Sequence, residues 1–189
     1  LDEALGRLID SLRSLGQLDN TVILFTSDHG NHFKTRNSEY KRSCHDASIR
    51  TPAAISGPGF TGGGEIKELV SLIDLPATLL DAAGIGVPAD MEGRSVLPLA
   101  QKKSVEWRDT MFVQISEAQT GRAIRTHRWK YSVRSLETDK NGQPVIAADA
   151  ETYTEDCLYD LLADPWELTN LIGGDAYADV TADLRQKLL

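Results

Sequence analysis

The stretch Thr21-Val22-Ile23-Leu24-Phe25-Thr26-Ser27-Asp28-His29-Gly30 decides which class of fold this chain can adopt. Its first six residues are mostly β-branched or aromatic and show no polar alternation. That is the pattern of a strand covered on both faces in a parallel or mixed sheet. The run then stops abruptly at Ser27-Asp28-His29-Gly30. Upstream, Leu1, Leu5, Leu8, Ile9, Leu12 and Leu15 recur at helical spacing, which predicts a helix over 1–15 ended by Gly16, with a polar turn at Leu18-Asp19-Asn20. Helix, turn, apolar strand and polar tip together make an α/β unit. Ligands of such sheets sit beyond the carboxyl ends of the strands, so chemistry is expected at Asp28 and His29.

Downstream, residues 31–50 are polar and rich in Lys, Arg and His, and they read as a long loop over that edge. Residues 51–56 form a short strand stopped by Gly57-Pro58-Gly59, and residues 65–70 look extended. A helix is expected over 71–83. Pro76 falls in its first turn, where a missing amide is harmless, and Gly84 ends it. Residues 85–110 make an irregular crossing. Residues 110–116, 121–126 and 129–133 are three short strands at hairpin spacing, 158–161 adds a fourth, and 177–189 is an amphipathic helix. The expected organisation is the end of an α/β domain over 1–100, followed by a small α+β subdomain over 101–189.

Composition narrows the function classes. Twenty Lys and Arg against 28 Asp and Glu give a net charge of -8, which argues against a nucleic-acid partner because phosphate contacts need a basic surface. No run approaches the ~18 uninterrupted apolar residues of a membrane helix. The two cysteines, Cys44 and Cys157, are too few for a disulfide scaffold and lack the C-x-x-C spacing of zinc or redox sites. The chain opens at Leu1 inside a helical pattern and closes at Leu188-Leu189 inside another, which reads as a piece of a longer protein.

Asp28-His29 is the leading chemical candidate: a carboxylate oxygen and an imidazole nitrogen at a strand end can turn toward one cation, with Gly30 letting the backbone leave sharply. Taken alone it reads equally well as a strand-end turn. Lys34, Arg36, Lys41 and Arg42 fall within nine positions of an otherwise acidic chain and would suit an anionic ester beside a metal, although a solvated loop is the usual fate of such a run. Asp46 and Arg50, four apart, read as a structural salt bridge, and His127 reads as a surface residue. Cys44 and His45 are adjacent, which is not the geometry of a catalytic dyad. G-x-S-x-G, Gly-rich phosphate-loop and H-E-x-x-H motifs are all absent.

Several motifs, in order, resemble the sulfatase family of the alkaline-phosphatase-like superfamily. Asn20 to Gly30 looks like its strand with the metal-binding D-H/N-G signature. Lys41 to Pro52 (KRSCHDASIRTP) is similar to its K-x-x-x-aromatic-E-x-x-x-R-V-P segment, with His45 and Asp46 in place of the aromatic residue and Glu. Ile73 to Gly84 resembles its I-D-L-x-P-T-L-L-x-x-A-G helix with proline one place early, and Gly93 to Leu99 follows. Arg125 to Tyr131 resembles R-T-x-x-W-K-Y, and Leu158 to Leu171 resembles L-Y-D-L-x-x-D-P-x-E-x-x-N-L.

The resemblance implies the end of an alkaline-phosphatase-like α/β domain in a sulfuric ester hydrolase. Asp28 and His29 would be ligands of a divalent cation, calcium first, with manganese or another metal open because imidazole is an unusual calcium ligand. Lys41 would contact the sulfate and the bridging oxygen, while Lys34 and Arg36 would meet anionic groups of a sulfated sugar or small molecule. The formylglycine nucleophile, made from C/S-x-P-S-R, has no counterpart here and would lie before Leu1. Export to a periplasmic or extracellular location is also implied. The rival expectations are a phosphonate or phosphate-ester hydrolase of the same superfamily and a catalytically inactive assembly module.

Overall fold

In the computed structural model, which describes all 189 residues, the amphipathic N-terminal pattern forms α1 (Asp2–Ser14). Asp2 and Glu3 lie in its first turn and Arg13 in its last, each matched to the helix dipole. Gly16, at φ +66°, turns the chain out of the helix. The decisive apolar run becomes β1 (Ile23–Thr26), and residues 53–56 become β2 (Ala53–Ser56). The two pair antiparallel, Ile23 opposite Ser56 and Thr26 opposite Ala53. Within this chain all four β1 residues are half-buried, and the strand's partner is antiparallel where a parallel or mixed sheet is expected. Ile23 and Phe25 line an open apolar cleft with Leu5, Ile9, Leu18 and Phe60.

The predicted 71–83 helix is α3 (Asp74–Ala82), preceded in chain order by a single turn, α2 (Asp46–Ile49). Asp74 is wholly buried, yet its carboxylate accepts from the backbone amides of Ser71 (2.7 Å) and Arg94 (2.8 Å), which satisfies it. A further turn, α4 (Leu97–Ala100), lies in the stretch expected to be irregular; Pro98 at its start concealed it.

The chain divides into two compact units. One comprises residues 1–27 and 52–107, and the other residues 28–51 and 108–189. The second holds a four-stranded antiparallel sheet in sequence order: β3 (Thr110–Ile115), β4 (Gly121–Thr126), β5 (Trp129–Arg134) and β6 (Thr154–Asp160). β6 begins four residues earlier than the sequence predicts. A register shift accounts for this: Ser132 pairs with Cys157 but Val133 with Glu155, so Asp156 is an extra residue that breaks the alternation.

Alternation sends the side chains of this sheet to two faces. On one, Ile124, Tyr131, Val133 and Leu158 pack against Leu184 and Leu188 of the C-terminal helix α5 (Ala178–Leu188). On the other, Ile115, Ala123, Cys157 and Tyr159 form a smaller apolar cluster with Cys44 from the 28–51 loop. The loop between β1 and β2 is therefore a packed layer of this unit.

Candidate active site

The site begins where β1 ends. Gly30 donates its amide to the carbonyl of Ser48 at 2.7 Å, and a Cβ built on Gly30 would stand 2.1 Å from the carbonyl oxygen of Ala47. Only glycine fits that approach, which folds the loop back beside α2. His29 Nδ1 then donates to the Gly30 carbonyl (2.8 Å), so the lone pair sits on Nε2. Two groups face that nitrogen: the Lys41 ammonium, donating at 2.9 Å, and the Asp28 carboxylate, 3.4 Å away. The structure thus brings together three of the five sequence-predicted residues. The Tyr40 ring lies beside both His29 (centroids 5.9 Å apart) and the Lys41 ammonium (5.6 Å). The Lys41 backbone is fixed as well, its carbonyl accepting from His32 Nε2 (3.0 Å) and Asn37 Nδ2 (3.2 Å).

The other two residues are placed differently. Lys34 is exposed, in left-handed backbone at φ 61°. Arg36 donates to the carbonyls of Trp166 (2.6 Å) and Glu167 (2.8 Å), tying the loop to the turn after β6.

Asp28 and His29 fit part of a cation site. One offers a carboxylate, and the other an imidazole whose Nδ1 hydrogen bond leaves Nε2 as the ligating atom, the usual arrangement around metal-bound histidine. No group of three or more His, Cys, Asp and Glu converges to hold a metal. The Lys41 ammonium and a cation would compete for the same Nε2 lone pair.

What holds the loop in place is a charged cluster that sequence reasoning did not assemble. The expected pairing of Asp46 with Arg50 is replaced by pairing with the sheet. Arg125 binds the Asp46 carboxylate through both Nε (3.1 Å) and Nη2 (2.9 Å). Lys130, with no exposed surface, donates to both Asp46 and Glu167. Glu167 in turn accepts from the Asp46 amide (2.7 Å). Two cations and two carboxylates close a neutral set, the condition under which buried charge is tolerable. Burial pushes the Asp46 carboxyl up, but Arg125 and Lys130 outweigh it and hold the group at about 2. The signal was present in fragments: Arg125 and Lys130 belong to R-T-x-x-W-K-Y, Glu167 to D-P-x-E, and Asp46 follows Lys41 by five residues. Only the fold shows that they meet.

His45 sits in the same layer, 3.2 Å from both the Ser43 and the Tyr159 hydroxyls. Burial, reinforced by the charges of Arg36 and Lys130, lowers its pKa to about 4, so it is neutral at pH 7. Its ring bonds thus go to hydroxyls, while the Cys44 sulfur lies 3.7 Å from that of Cys157.

Residues 38–189 match the family described as N-sulphoglucosamine sulphohydrolase, C-terminal. The chain is 34% identical over 197 residues to arylsulfatase K of Bos taurus, covering 99% of this chain and 34% of that protein. It is 30% identical over 192 residues to an N-acetylglucosamine-6-O-sulfatase of Bacteroides thetaiotaomicron, covering 100% of this chain and 33% of the relative. A solved complex of a protein with its substrate D-glucosamine-2-N,6-O-disulfate superposes with a TM-score of 0.76 at 29% identity, over 98% of this chain and 37% of that one. The phosphonate monoester hydrolase of Agrobacterium radiobacter superposes with a TM-score of 0.77 at 28% identity, over 98% and 38%. The chain spans about a third of the length of the curated relatives it matches. The matches run along the whole chain in one order, and the chain belongs to the sulfatase family of the alkaline-phosphatase-like superfamily, as a sulphohydrolase C-terminal region.

Proposed function

We propose that this chain supplies the cation-bearing wall of a sulfuric ester hydrolase acting on a sulfated carbohydrate. The observation that carries the reading is the Lys41 ammonium 2.9 Å from His29 Nε2, beside the Asp28 carboxylate, on a loop clamped to the sheet by buried charge. Asp28 and His29 hold the divalent cation, calcium or manganese. That cation supplies Lewis acidity toward the sulfuryl oxygens, with the nucleophile, a formylglycine, expected outside this chain. Lys41 places its positive charge where the bridging oxygen becomes anionic as the ester bond breaks. His29, fixed by Gly30, gives Nε2 to the cation, which releases the neighbouring Lys41 ammonium toward the ester. Lys34, exposed on the same loop, meets further anionic groups of the sugar, while Arg36 holds the loop. The N-acetylglucosamine-6-O-sulfatase and the complex with D-glucosamine-2-N,6-O-disulfate support this substrate class.

In the complete protein, Lys41→Ala is expected to lower kcat on an aryl sulfate by roughly 10²-fold or more without moving Tm. Asp28→Ala is expected to lower both turnover and the metal content measured by mass spectrometry. Unchanged turnover and metal content in both variants would sink the assignment. The superposition on a phosphonate monoester hydrolase favours one second reading, hydrolysis of phosphonate or phosphate esters. Matched aryl sulfate and aryl phosphonate esters decide between them by kcat/KM.

A further inference from the structure

Cys44, in the loop three residues after Lys41, and Cys157, in β6, are 113 residues apart in sequence, yet their sulfurs lie 3.7 Å apart. Both are free thiols, 1% and 4% exposed. A disulfide needs a sulfur separation of ~2.05 Å, so the gap must close by roughly 1.7 Å. The charge clamp at Asp46 fixes the loop backbone two residues on, so the closure falls to rotation of the two cysteine side chains about their Cα–Cβ bonds. The two cysteines also line a cleft of about 160 Å³, together with Arg36, His45, Arg134 and Tyr159. One water needs only ~10–15 Å³ of such space, so the cleft has room for hydrogen peroxide.

We propose that Cys44 and Cys157 form a reversible disulfide when hydrogen peroxide reaches them through this cleft, covalently tying the Lys41-bearing loop to the sheet. The Cys44 thiolate attacks one peroxide oxygen, the O–O bond breaks, and the departing hydroxide takes up a proton to leave as water. Cys44 is then a sulfenic acid. The Cys157 sulfur, losing its proton, attacks the Cys44 sulfur, the S–O bond breaks, and the oxygen leaves as a second water. Two thiols are oxidised by two electrons, and one peroxide is reduced to two waters. Cys44 is the first nucleophile because the hydrogen bond from Cys157 and the nearby charge of Lys130 favour its thiolate. Ser132 Oγ, 2.9 Å from the Cys157 sulfur, holds that partner in place.

The test is a mass measurement, so it stands or falls separately from the hydrolase reading. The complete protein is treated with a modest excess of peroxide, unfolded, alkylated with iodoacetamide and digested. The expected product is one cross-linked peptide pair containing Cys44 and Cys157, lighter by two hydrogens than the sum and split by dithiothreitol. Tm is expected to rise by roughly 3–6 °C on oxidation and to return on reduction. Cys44→Ala and Cys157→Ala should each abolish both changes. Two thiols still alkylated after peroxide, or sulfinic acid on either without a cross-link, would overturn the proposal. So would zinc retained stoichiometrically by the reduced pair. A cross-link that leaves Tm unmoved would overturn the tying role.

Discussion

Beneath α5 the four-stranded sheet presents Ile124, Tyr131, Val133 and Leu158; toward the 28–51 loop the same strands present Arg125, Lys130, Ser132 and Tyr159. The first face is held by apolar area removed from water, a force that is non-directional and tolerant of small shifts. The second is held by hydrogen-bonded charge, which adds little net stability against an apolar equivalent but penalises any other register heavily. The difference matches the burden each carries. α5 needs only to cover a surface, whereas the loop must present His29 and Lys41 in one relative placement.

The sharpest break of this contrast is Lys130→Met, which strands Glu167 and half of Asp46 in a buried layer. It should destabilise by about 3–5 kcal/mol in denaturant unfolding, and adding Glu167→Gln should restore part of that. Leu158→Ala, on the other face, should cost about 2–5 kcal/mol through lost burial and a cavity, with no charge substitution able to restore it. Equal responses of the two variants to charge rescue would erase the distinction.

The smallest effect is in pH. His45 titrates near 4 in the folded chain against an ordinary 6.5, so below pH 6.5 the unfolded chain binds a proton that the folded chain refuses. Stability contributed by neutral His45 is therefore complete above pH 6.5 and is lost as pH falls toward 4. Asp46 follows the same direction lower down, losing its contribution as pH drops from its ordinary 3.8 toward 2. Urea midpoints at pH 7 and pH 5 should differ in the parent and converge in His45→Gln, while Leu158→Ala keeps the parent's slope.

Much of this was legible along the chain. Helical spacing gave α1 and α5, hairpin spacing gave β3 to β5, and the abrupt polar end of β1 gave Asp28 and His29. These signals are local, set by periodicities of 3.6 and 2. What escaped was pairing at a distance. Asp46 has no local mark that distinguishes Arg50, four residues on, from Lys130, 84 residues on. The same holds for His45 with Tyr159 and Cys44 with Cys157, 114 and 113 residues apart. The apolar run of β1 was legible as a strand, but its antiparallel pairing with β2 was not.

Those separations also set a timetable. On a ribosome adding ~5–20 residues per second, Lys130 emerges about 4–17 seconds after Asp46, and Glu167 later still. Through that interval the loop bearing His29 and Lys41 has been synthesised but lacks the sheet that shapes it. A nascent chain interrupted before β5 therefore carries every one of these site side chains without their arrangement.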